Sequence, residues 1–455
     1  MSKVNATIVT SSATDRIGTE RIGKLLFDFS MPAIIGMLVN AIYNIVDRIY
    51  VGQGVDPLGI AGISLIMPIM MILMASSMLI GIGANSLFSI RLGEGRSDQV
   101  EKIMGHAFVL LFLIPGVVIV FSFIYLDEIL LYVLNASETV FPFAKTYLRI
   151  ILYGGIFSAM GPGINHFIRS DGRPRTSMLT QIIGAVINII LDPVFIFGFG
   201  WGVAGAAWAT IISQFISFVW VIGYFNSRWT SLRFRVRSMH LEAPVCFQIL
   251  AIGFAPFVMQ LAIGLVNILL NRSLFRYGGD IAVASMGIVY SILIVIFMPV
   301  QGISQGVQPI IGYNYGARKY GRAKKAFKWA VIWGTVLVCF GFALFQLFPR
   351  FFIAMFRNEE GPLMDMGGRA LRICTLFFPA LAFQIISSTF FQSIGKPLQA
   401  TVLSLSRQIL FYIPLLFILP RFFGIWGVFS AMPAADVFAV LLSAGITLRE
   451  LKRMK

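Results

Sequence analysis

The chain has 455 residues, of which 58% are hydrophobic and only 12% are charged. A soluble domain carries about 25% charged residues, so the composition excludes a water-soluble globule, and roughly 20 apolar residues per span leave room for about a dozen spans. The net charge of +16 does not indicate a nucleic-acid partner, because the cations lie in short loops on alternate sides of the apolar segments.

Twelve apolar segments follow a polar N-terminal tail, which has no short apolar core and is not expected to be a signal peptide. Only helices and closed barrels can span a bilayer, and barrel strands would alternate over about ten residues. These long continuous runs therefore predict twelve transmembrane helices. In chain order the segments are 26–51, 59–88, 106–126, 143–168, 176–198, 203–225, 246–270, 281–311, 328–348, 370–392, 398–420 and 425–448.

The loops predict the orientation of the chain, because cytoplasmic loops are rich in Lys and Arg. One set of loops and tails carries Lys24, Arg91, Arg96, Lys102, Arg169, Arg173, Arg175, Arg228, Arg233, Arg235, Arg237, Arg318, Lys319, Arg322, Lys324, Lys325, Arg449, Lys452, Arg453 and Lys455. The opposite loops carry Asp56, Asp127, Glu128, Glu138, Asp280, Glu359 and Glu360. We therefore expect a multi-pass protein of the plasma or inner membrane with both termini in the cytoplasm.

The two parts of the chain on either side of a basic stretch, 226–244, are similar to each other. Pro32 matches Pro256 and Gly93 matches Gly316, and the separation along the chain is nearly the same for both pairs. Because one offset holds across six segments, we infer an internal duplication. The predicted organisation is a cytoplasmic tail (1–24), a six-helix half (25–225), a cytoplasmic linker (226–244) and a second six-helix half (245–455).

Each half contains an even number of spans, so both enter the membrane from the same side. The repeats are then parallel and related by an axis along the membrane normal. Transporters built in this way bind their substrate between the halves and rock one half against the other. The predicted fold is therefore an all-α integral membrane protein with two parallel six-helix repeats around a central cavity.

Acidic residues inside spans are candidates for function, because a charge near the bilayer centre costs at least about 2.5–3.5 kcal/mol. Asp47 in segment 1 and Asp192 in segment 5 lie at one depth, Asn188 shares a helix face with Asp192, and Thr210 in segment 6 reaches the same level. These oxygen-bearing side chains form a candidate pocket for a proton or a hard cation. Pro193 is expected to bend segment 5 beside the acid.

Segment 1 also carries a polar stripe, since Asn40, Tyr43, Asn44 and Asp47 follow helical spacing. For Asn44, hydrogen bonding between helices and a functional role are equally good interpretations, whereas a buried carboxylate favours function. Segment 2 has a methionine face, for which packing is the ordinary interpretation and an adaptable wall for varied apolar ligands is the alternative. The face consists of Met67, Met70, Met71, Met74 and Met78.

The second half has fewer candidates. Asp436 in segment 12 is its one acid expected to be buried, and it has no Asn companion, so it is a secondary candidate. Arg407 is the main arginine expected inside a span. The three cysteines are far apart and support neither a zinc site nor a disulfide framework.

Three motifs give the chain a resemblance to the multidrug and toxic compound extrusion (MATE) family, nearest its bacterial DinF/MepA-like branch. They are Tyr43-Asn44-Ile45-Val46-Asp47, Asn188-Ile189-Ile190-Leu191-Asp192-Pro193, and Gly202-Val203-Ala204-Gly205-Ala206-Ala207 with Thr210. The resemblance covers about 25–450. It implies a transporter that exports cationic and amphipathic drugs by antiport with protons or sodium, without a cofactor and as a monomer.

The resemblance also implies roles for particular residues. The coupling cation, H⁺ or Na⁺, would bind Asp47, Asn188, Asp192 and Thr210, with the Ala206 carbonyl as an additional candidate. The drug cavity would take Asn40, Tyr43, Asn165, Gln181 and Gln214, to which the residue pattern adds Asn44, Met67, Met71, Met74 and Met78. Another branch of the family uses acids in segments 7 and 10, which are absent here, so we expect coupling to reside in the first half.

Other functions remain open from the sequence. A lipid-linked oligosaccharide flippase of the same superfamily would carry a cationic groove for pyrophosphate, whereas these spans contain acids. A membrane-embedded enzyme would need a nucleophile or an acid–base pair near a loop, and none is evident. A channel is also possible, but duplicated halves with one asymmetric acidic site favour alternating access.

Overall fold

The computed structural model describes residues 12–230, 232, 236–356 and 361–454. Residues 1–11 of the predicted tail therefore lie outside the described residues. The same is true of the loop charges Arg233, Arg235, Glu359, Glu360 and Lys455, and of the side chain of Arg237. The boundaries proposed for the tail, the halves and the linker stay predictions.

The first half consists of six long helices that follow a short N-terminal helix, Ser12–Thr19. They are α1 (Ile22–Gly54), α2 (Pro57–Leu65 and Met67–Gly93), α3 (Ser97–Ile124), α4 (Phe141–Ser170), α5 (Pro174–Pro193, extended by a π-helical turn, Val194–Gly198) and α6 (Gly202–Asn226). A short helix, Leu126–Glu128, and a π-helical turn, Ile129–Val133, connect α3 to α4.

The second half begins after a 3₁₀ turn, Val236–Met239. The helical stretch Ala243–Gly316 breaks at Gly279 (φ 64°) into α7 (243–278) and α8 (280–316). The following helices are α9 (Tyr320–Leu347), the short Pro349–Ala354, and α10, whose parts Pro362–Cys374 and Phe378–Ser393 are bent by 51°. The last two helices are α11 (Pro397–Leu405, a π-helical turn Ser406–Tyr412, and residues 413–423) and α12 (425–453), because Ile413–Arg453 breaks at Gly424 (φ 57°).

Twelve membrane spans result within the described residues. Eight helical stretches are long and apolar enough to cross a membrane, or nine when the bent pair of α10 is included. Two of the eight contain two spans each, since glycine reaches the left-handed region at both breaks without a steric penalty. The remaining span, α4, is 30 residues long. The predicted twelve-helix fold is confirmed.

Contacts between α2 and α8 show how the halves are related. Gly93 of α2 lies against the backbone carbonyl of Tyr313 in α8, and Gly316 of α8 lies against the carbonyl of Ile90 in α2. The offset of the sequence repeat converts one contact into the other, since it carries Gly93 to Gly316 and Ile90 to Tyr313. Such reciprocal contacts are what a two-fold axis between two copies produces, and they support the predicted parallel repeats.

Equivalent residues also meet each other on this axis. The Nδ2 of Asn85 donates to the Oε1 of Gln308 at 3.4 Å, and these two residues are themselves separated by the repeat offset. The Nε2 of Gln308 also donates to the hydroxyl of Ser86 at 2.9 Å. Both side-chain amides are buried, so the hydrogen bond between them satisfies polar groups that are buried away from water.

The hydrophobic cores show where the halves join. Ile17 and Met454, near the two ends of the described chain, belong to one core, so both described ends lie on one side of the membrane, which we call the terminus side. That core combines Ile17 and Phe29 of the first half with Ile303 and Phe390 of the second. On the opposite side, among the described residues, one core contains only first-half residues and another only second-half residues. The space between the halves therefore opens away from the terminus side.

Candidate functional site

Two carboxyl groups meet in the first half, on the side opposite the termini. Asp47 lies one to two turns before the end of α1, and Asp192 lies at a similar distance before the end of the π-helical turn of α5. Their side chains lie close to each other. Asp192 is fully buried and Asp47 is half-buried. Two ionised carboxylates at close range repel each other, so the arrangement suits the binding of one proton or cation between them.

Further oxygen atoms surround the acidic pair. The Nδ2 of Asn188 donates to Asp192 at 3.4 Å, and the hydroxyl of Thr210 donates to the carbonyl of Ala206 at 3.0 Å. The Oδ1 of Asn188 is buried and accepts no hydrogen bond from the described residues. A buried oxygen without a donor calls for an explanation, and a hard cation such as Na⁺, which binds oxygen ligands, would supply one. These residues fit the ion that the sequence resemblance implies.

Two local features of the sequence bring these oxygens together. Pro193 has no N–H to donate within the helix, and α5 changes from an α-helix to a π-helical turn immediately after it. Gly205 lets α6 approach the backbone of Phe195 in that turn so closely that a Cβ atom would collide with it. The close approach packs the first turns of α6, which carry Ala206 and Thr210, against the π-helical turn that follows Asp192.

Tyr147 of α4 is a site residue that the sequence reasoning missed. Its hydroxyl lies near Thr210 and within electrostatic reach of Asp47, Tyr43 and Asp192. The side chain is buried in the core of this region. The depth argument applied to helices 1, 5 and 6 could have found it, because Tyr147 lies two turns from the end of α4 on the same side of the membrane.

The polar stripe of α1 divides into two parts. Tyr43 lies near Asp47 and Asp192, so it faces the acidic pair. Asn40 and Asn44 are exposed, and the Nδ2 of Asn44 donates to the carbonyl of Asn40 at 2.6 Å. Because exposed amides find no partners in lipid, we expect both to face the space between the halves.

Two methionines in the middle of the methionine face, Met71 and Met74, lie near α7 of the second half. Met67 and Met74 are 46% and 53% exposed, and Met71 and Met78 are half-buried. The Nε2 of Gln260 in α7 lies 4.0 Å from the sulfur of Met74. Met70 packs on the core of the first half, whereas Met67 and Met74 are open to a ligand or to lipid, and the role of the methionines in drug binding stays a prediction.

The other residues proposed for the drug cavity are not grouped around the acidic pair. Asn165 is buried near the terminus side of α4 and donates to the carbonyl of Ser177 at 3.1 Å. Gln181 packs its amide against Gly36 of α1, where a larger residue would collide with it. Gln214 is half-buried one turn beyond Thr210 on α6. The roles of Asn165, Gln181 and Gln214 stay predictions.

Arg169 differs from the sequence-based expectation, which grouped it with the loop cations. Its side chain is only 3% exposed, and its Nη1 donates to the Oε1 of Gln305 in α8 at 2.7 Å. The reason is its place near the end of α4, next to the shared core on the terminus side. There Gln305 of the second half supplies the hydrogen-bond acceptor for the guanidinium.

Asp436 has no Asn companion in the described structure, as the sequence indicates, but it has a cationic partner. Its Oδ1 accepts from the Nε of Arg407 at 2.5 Å, and both residues are buried. Arg407 lies in the π-helical turn of α11, and Tyr290, Cys374 and Tyr412 surround the pair. Asp436 therefore belongs to a buried ion pair, whereas the first half brings two acids next to each other.

Comparisons with known proteins identify the family. The family model described as MatE matches residues 32–194 and again 256–418. Both ends of the second match are displaced from the first by the same amount, so the predicted duplication is confirmed. The chain is 28% identical over 421 residues to the multidrug export protein MepA of Staphylococcus saprophyticus subsp. saprophyticus, covering 92% of each chain. It is 29% identical over 425 residues to MepA of Staphylococcus aureus strain MSSA476, again covering 92% of each.

Solved structures share the fold. One is an outward-facing conformation of a multidrug resistance MATE family transporter of the MOP superfamily, with a TM-score of 0.91 and 23% identity, covering 98% of this chain and 99% of that chain. Another is a MOP superfamily transporter from Pyrococcus furiosus, with a TM-score of 0.90 and 24% identity over the same shares. At this level of identity the likeness establishes the arrangement of helices.

Proposed function

We propose, because the chain belongs to the MatE family, that it exports cationic or amphipathic drugs and other toxic compounds in exchange for H⁺ or Na⁺. The observation that carries the proposal is the close approach of Asp47 and Asp192, both in the first half, beside a buried Oδ1 of Asn188 that accepts no hydrogen bond from the described residues. Relatives named as multidrug export proteins support the class of substrate. MatE is a family of transporters and not of enzymes.

The acidic pair would couple the ion to the conformation of the first half. When no cation is bound, two ionised carboxylates repel each other, and separating them relieves the repulsion. When a proton or Na⁺ is bound, Asp47 and Asp192 are drawn together, with Asn188 and Thr210 supplying oxygens. Because the acids belong to α1 and α5, loading and release of the ion would shift these two helices against each other near Pro193.

The energy available from this exchange is adequate for export. One pH unit supplies about 1.4 kcal/mol per proton, and a membrane potential of 100 mV supplies about 2.3 kcal/mol per charge. Together they correspond to roughly a 500-fold gradient of a neutral compound exchanged for one proton. The drug would leave through the central space, along the methionine face of α2 and past Tyr43, Asn40 and Asn44 of α1.

We also propose that the terminus side faces the cytoplasm and that the transporter is a monomer in the plasma or inner membrane. The support is the concentration of cations in the loops of that side. Single cysteines at Arg228 and Ser137 test the orientation, after the native Cys246, Cys339 and Cys374 have been replaced. An impermeant thiol reagent applied to intact cells should label position 137 and not 228. Labelling of position 228 alone would reverse the orientation.

The coupling proposal is tested by removing each acid separately. Asp47→Asn and Asp192→Asn should each abolish efflux of a fluorescent cation from vesicles energised by a pH or Na⁺ gradient, with normal amounts of protein in the membrane. Comparing the two gradients in the wild type identifies the ion. Asp127→Asn is the matched control, because Asp127 is half exposed at the surface and pairs only with Lys145 among the described residues. Normal ion-driven efflux in both acid variants would refute the mechanism.

A further inference from the structure

A basic cavity lies on the terminus side, between the beginnings of α1 and α9. Its volume is about 600 Å³. Four cations line it: Arg21 and Lys24 come from the first half, and Arg322 and Lys325 come from the second. None of the described residues that line the cavity is acidic. Within the described residues, Lys24 is the one cation of the four that pairs with a carboxylate, that of Glu20 at 2.6 Å, so a net positive charge remains.

The backbone strengthens this charge. The first turns of α1 and α9 both line the cavity, and neither contains an acidic residue or a side-chain cap. Two helix N-termini with free N–H groups therefore meet the same space, where their dipoles favour an anion.

Arg322 gives the cavity a fixed cation. Its Nη2 donates to the carbonyls of Glu20 at 2.6 Å and of Ile17 at 3.1 Å, and its Nε donates to Asn314 at 3.0 Å. These acceptors are neutral, so the guanidinium is held in place while its charge stays uncompensated. The same contacts fasten the segment before α1 to the second half.

Exposed apolar side chains of α1 and α9 continue from the cavity toward the membrane, and we call the surface between them the apolar groove. Phe27 and Met31 follow Lys24 along one face of α1 and are 51% and 41% exposed. Trp329 and Ile332 follow Lys325 along α9 and are each 38% exposed. The two walls touch where the ring of Phe27 meets that of Trp333, with centroids 6.3 Å apart. Trp at this level is typical of the membrane–water interface.

We propose that the cavity binds the phosphate-bearing headgroup of an anionic phospholipid, with an acyl chain in the groove between α1 and α9. The four cations and two helix N-termini recognise the phosphate, and basic pockets between transmembrane helices suit such headgroups. A free phosphate ion would use the cations but leave the apolar groove empty, which is why the lipid is the better occupant. Because α1 and α9 belong to different halves, the lipid would fasten them together on the side where they share a core.

The test measures which lipid stays with the full-length protein. Protein in nanodiscs made from equal parts of phosphatidylcholine and phosphatidylglycerol is released and examined by native mass spectrometry. The wild type should retain phosphatidylglycerol preferentially. Removing three of the cations, in R21Q/K24Q/K325Q, should lower this retention about tenfold or more, since each cation near an anionic lipid contributes to affinity. Arg322 is left in place because it holds the segment before α1.

A matched variant controls for charge alone. R96Q/R175Q/R228Q removes three exposed cations from the same side of the membrane, away from the cavity, and should retain phosphatidylglycerol like the wild type. Equal retention by both variants would overturn the proposal. So would binding of inorganic phosphate to the detergent-purified protein that excess phosphatidylglycerol fails to displace. The wild type offers a test without substitutions: photoreactive phosphatidylglycerol should label residues 21–31 or 322–333, and labelling confined to other helices would contradict the site.

Discussion

The buried ion pair of the second half makes a sharp prediction about stability. Arg407 and Asp436 are 8% and 1% exposed, and the Nε–Oδ1 distance is 2.5 Å. Removing one partner of a buried pair leaves an uncompensated charge and costs about 3–5 kcal/mol, whereas replacing both with apolar residues is often neutral or stabilising. Arg407→Met and Asp436→Asn should therefore each lower the free energy of unfolding by about 3–5 kcal/mol, and R407M/D436V should recover most of it.

The assay is reversible unfolding in mixed micelles, with the free energy followed by circular dichroism. The exposed pair of Lys145 and Asp127 is a control, because its N–O distance is 2.7 Å but its side chains are 32% and 50% exposed. Breaking that pair should cost less than about 1 kcal/mol. Stability losses that simply add in the double variant would refute the pairing argument. Ion-driven efflux by R407M/D436V should persist, because the proposed coupling acids lie in the other half.

Three further predictions concern the first half. Tyr147→Phe keeps the ring in the core but removes a polar hydroxyl near Thr210, so the affinity for the coupling ion should fall severalfold, as expected for about 1 kcal/mol. Tyr153→Phe on the exposed face of α4 should have no such effect, and equal behaviour of the two would argue against a site role. Gly205→Ala should push α6 away from α5 and impair ion-driven efflux, whereas Gly198→Ala, which meets open space, should not. Tyr43→Ala should change which drugs are exported, measured by resistance profiles, and a uniform loss for all drugs would indicate a folding or coupling role instead.

The twelve spans were predictable because a bilayer allows few backbone structures and the segments are long. The break in α2 at Ile66 was not predicted, although Pro68 lies in the first turn of the helix that follows. Proline is common inside membrane helices that continue through it, so its presence alone does not indicate a break. Where a glycine ends a span, as at Gly424, the predicted boundary between segments 11 and 12 agrees with the structure.

The candidate cation site was partly predictable, because burying a carboxylate is costly and helix depth can be counted along the sequence. Tyr147 escaped notice since tyrosine is ordinary in membrane helices. The hydrogen-bond partners of Arg169 and Asp436 could not be predicted in this way. Gln305 is 136 residues from Arg169, and Arg407 is 29 residues from Asp436. Such pairings depend on how helices pack, and no periodicity along the chain reports them.

The contact between Asn85 and Gln308 has a consequence for how the duplicated protein could diverge. In a dimer of identical halves, a residue on the axis faces its own copy, so any change appears on both sides at once. A single chain removes that restriction. Gln308 is one methylene longer than Asn85 and reaches both Asn85 and Ser86, a pairing that two identical copies could not make. Fusion thus allowed the two halves to become unlike even at their point of closest symmetry, and the ion site proposed for one half alone requires such unequal halves.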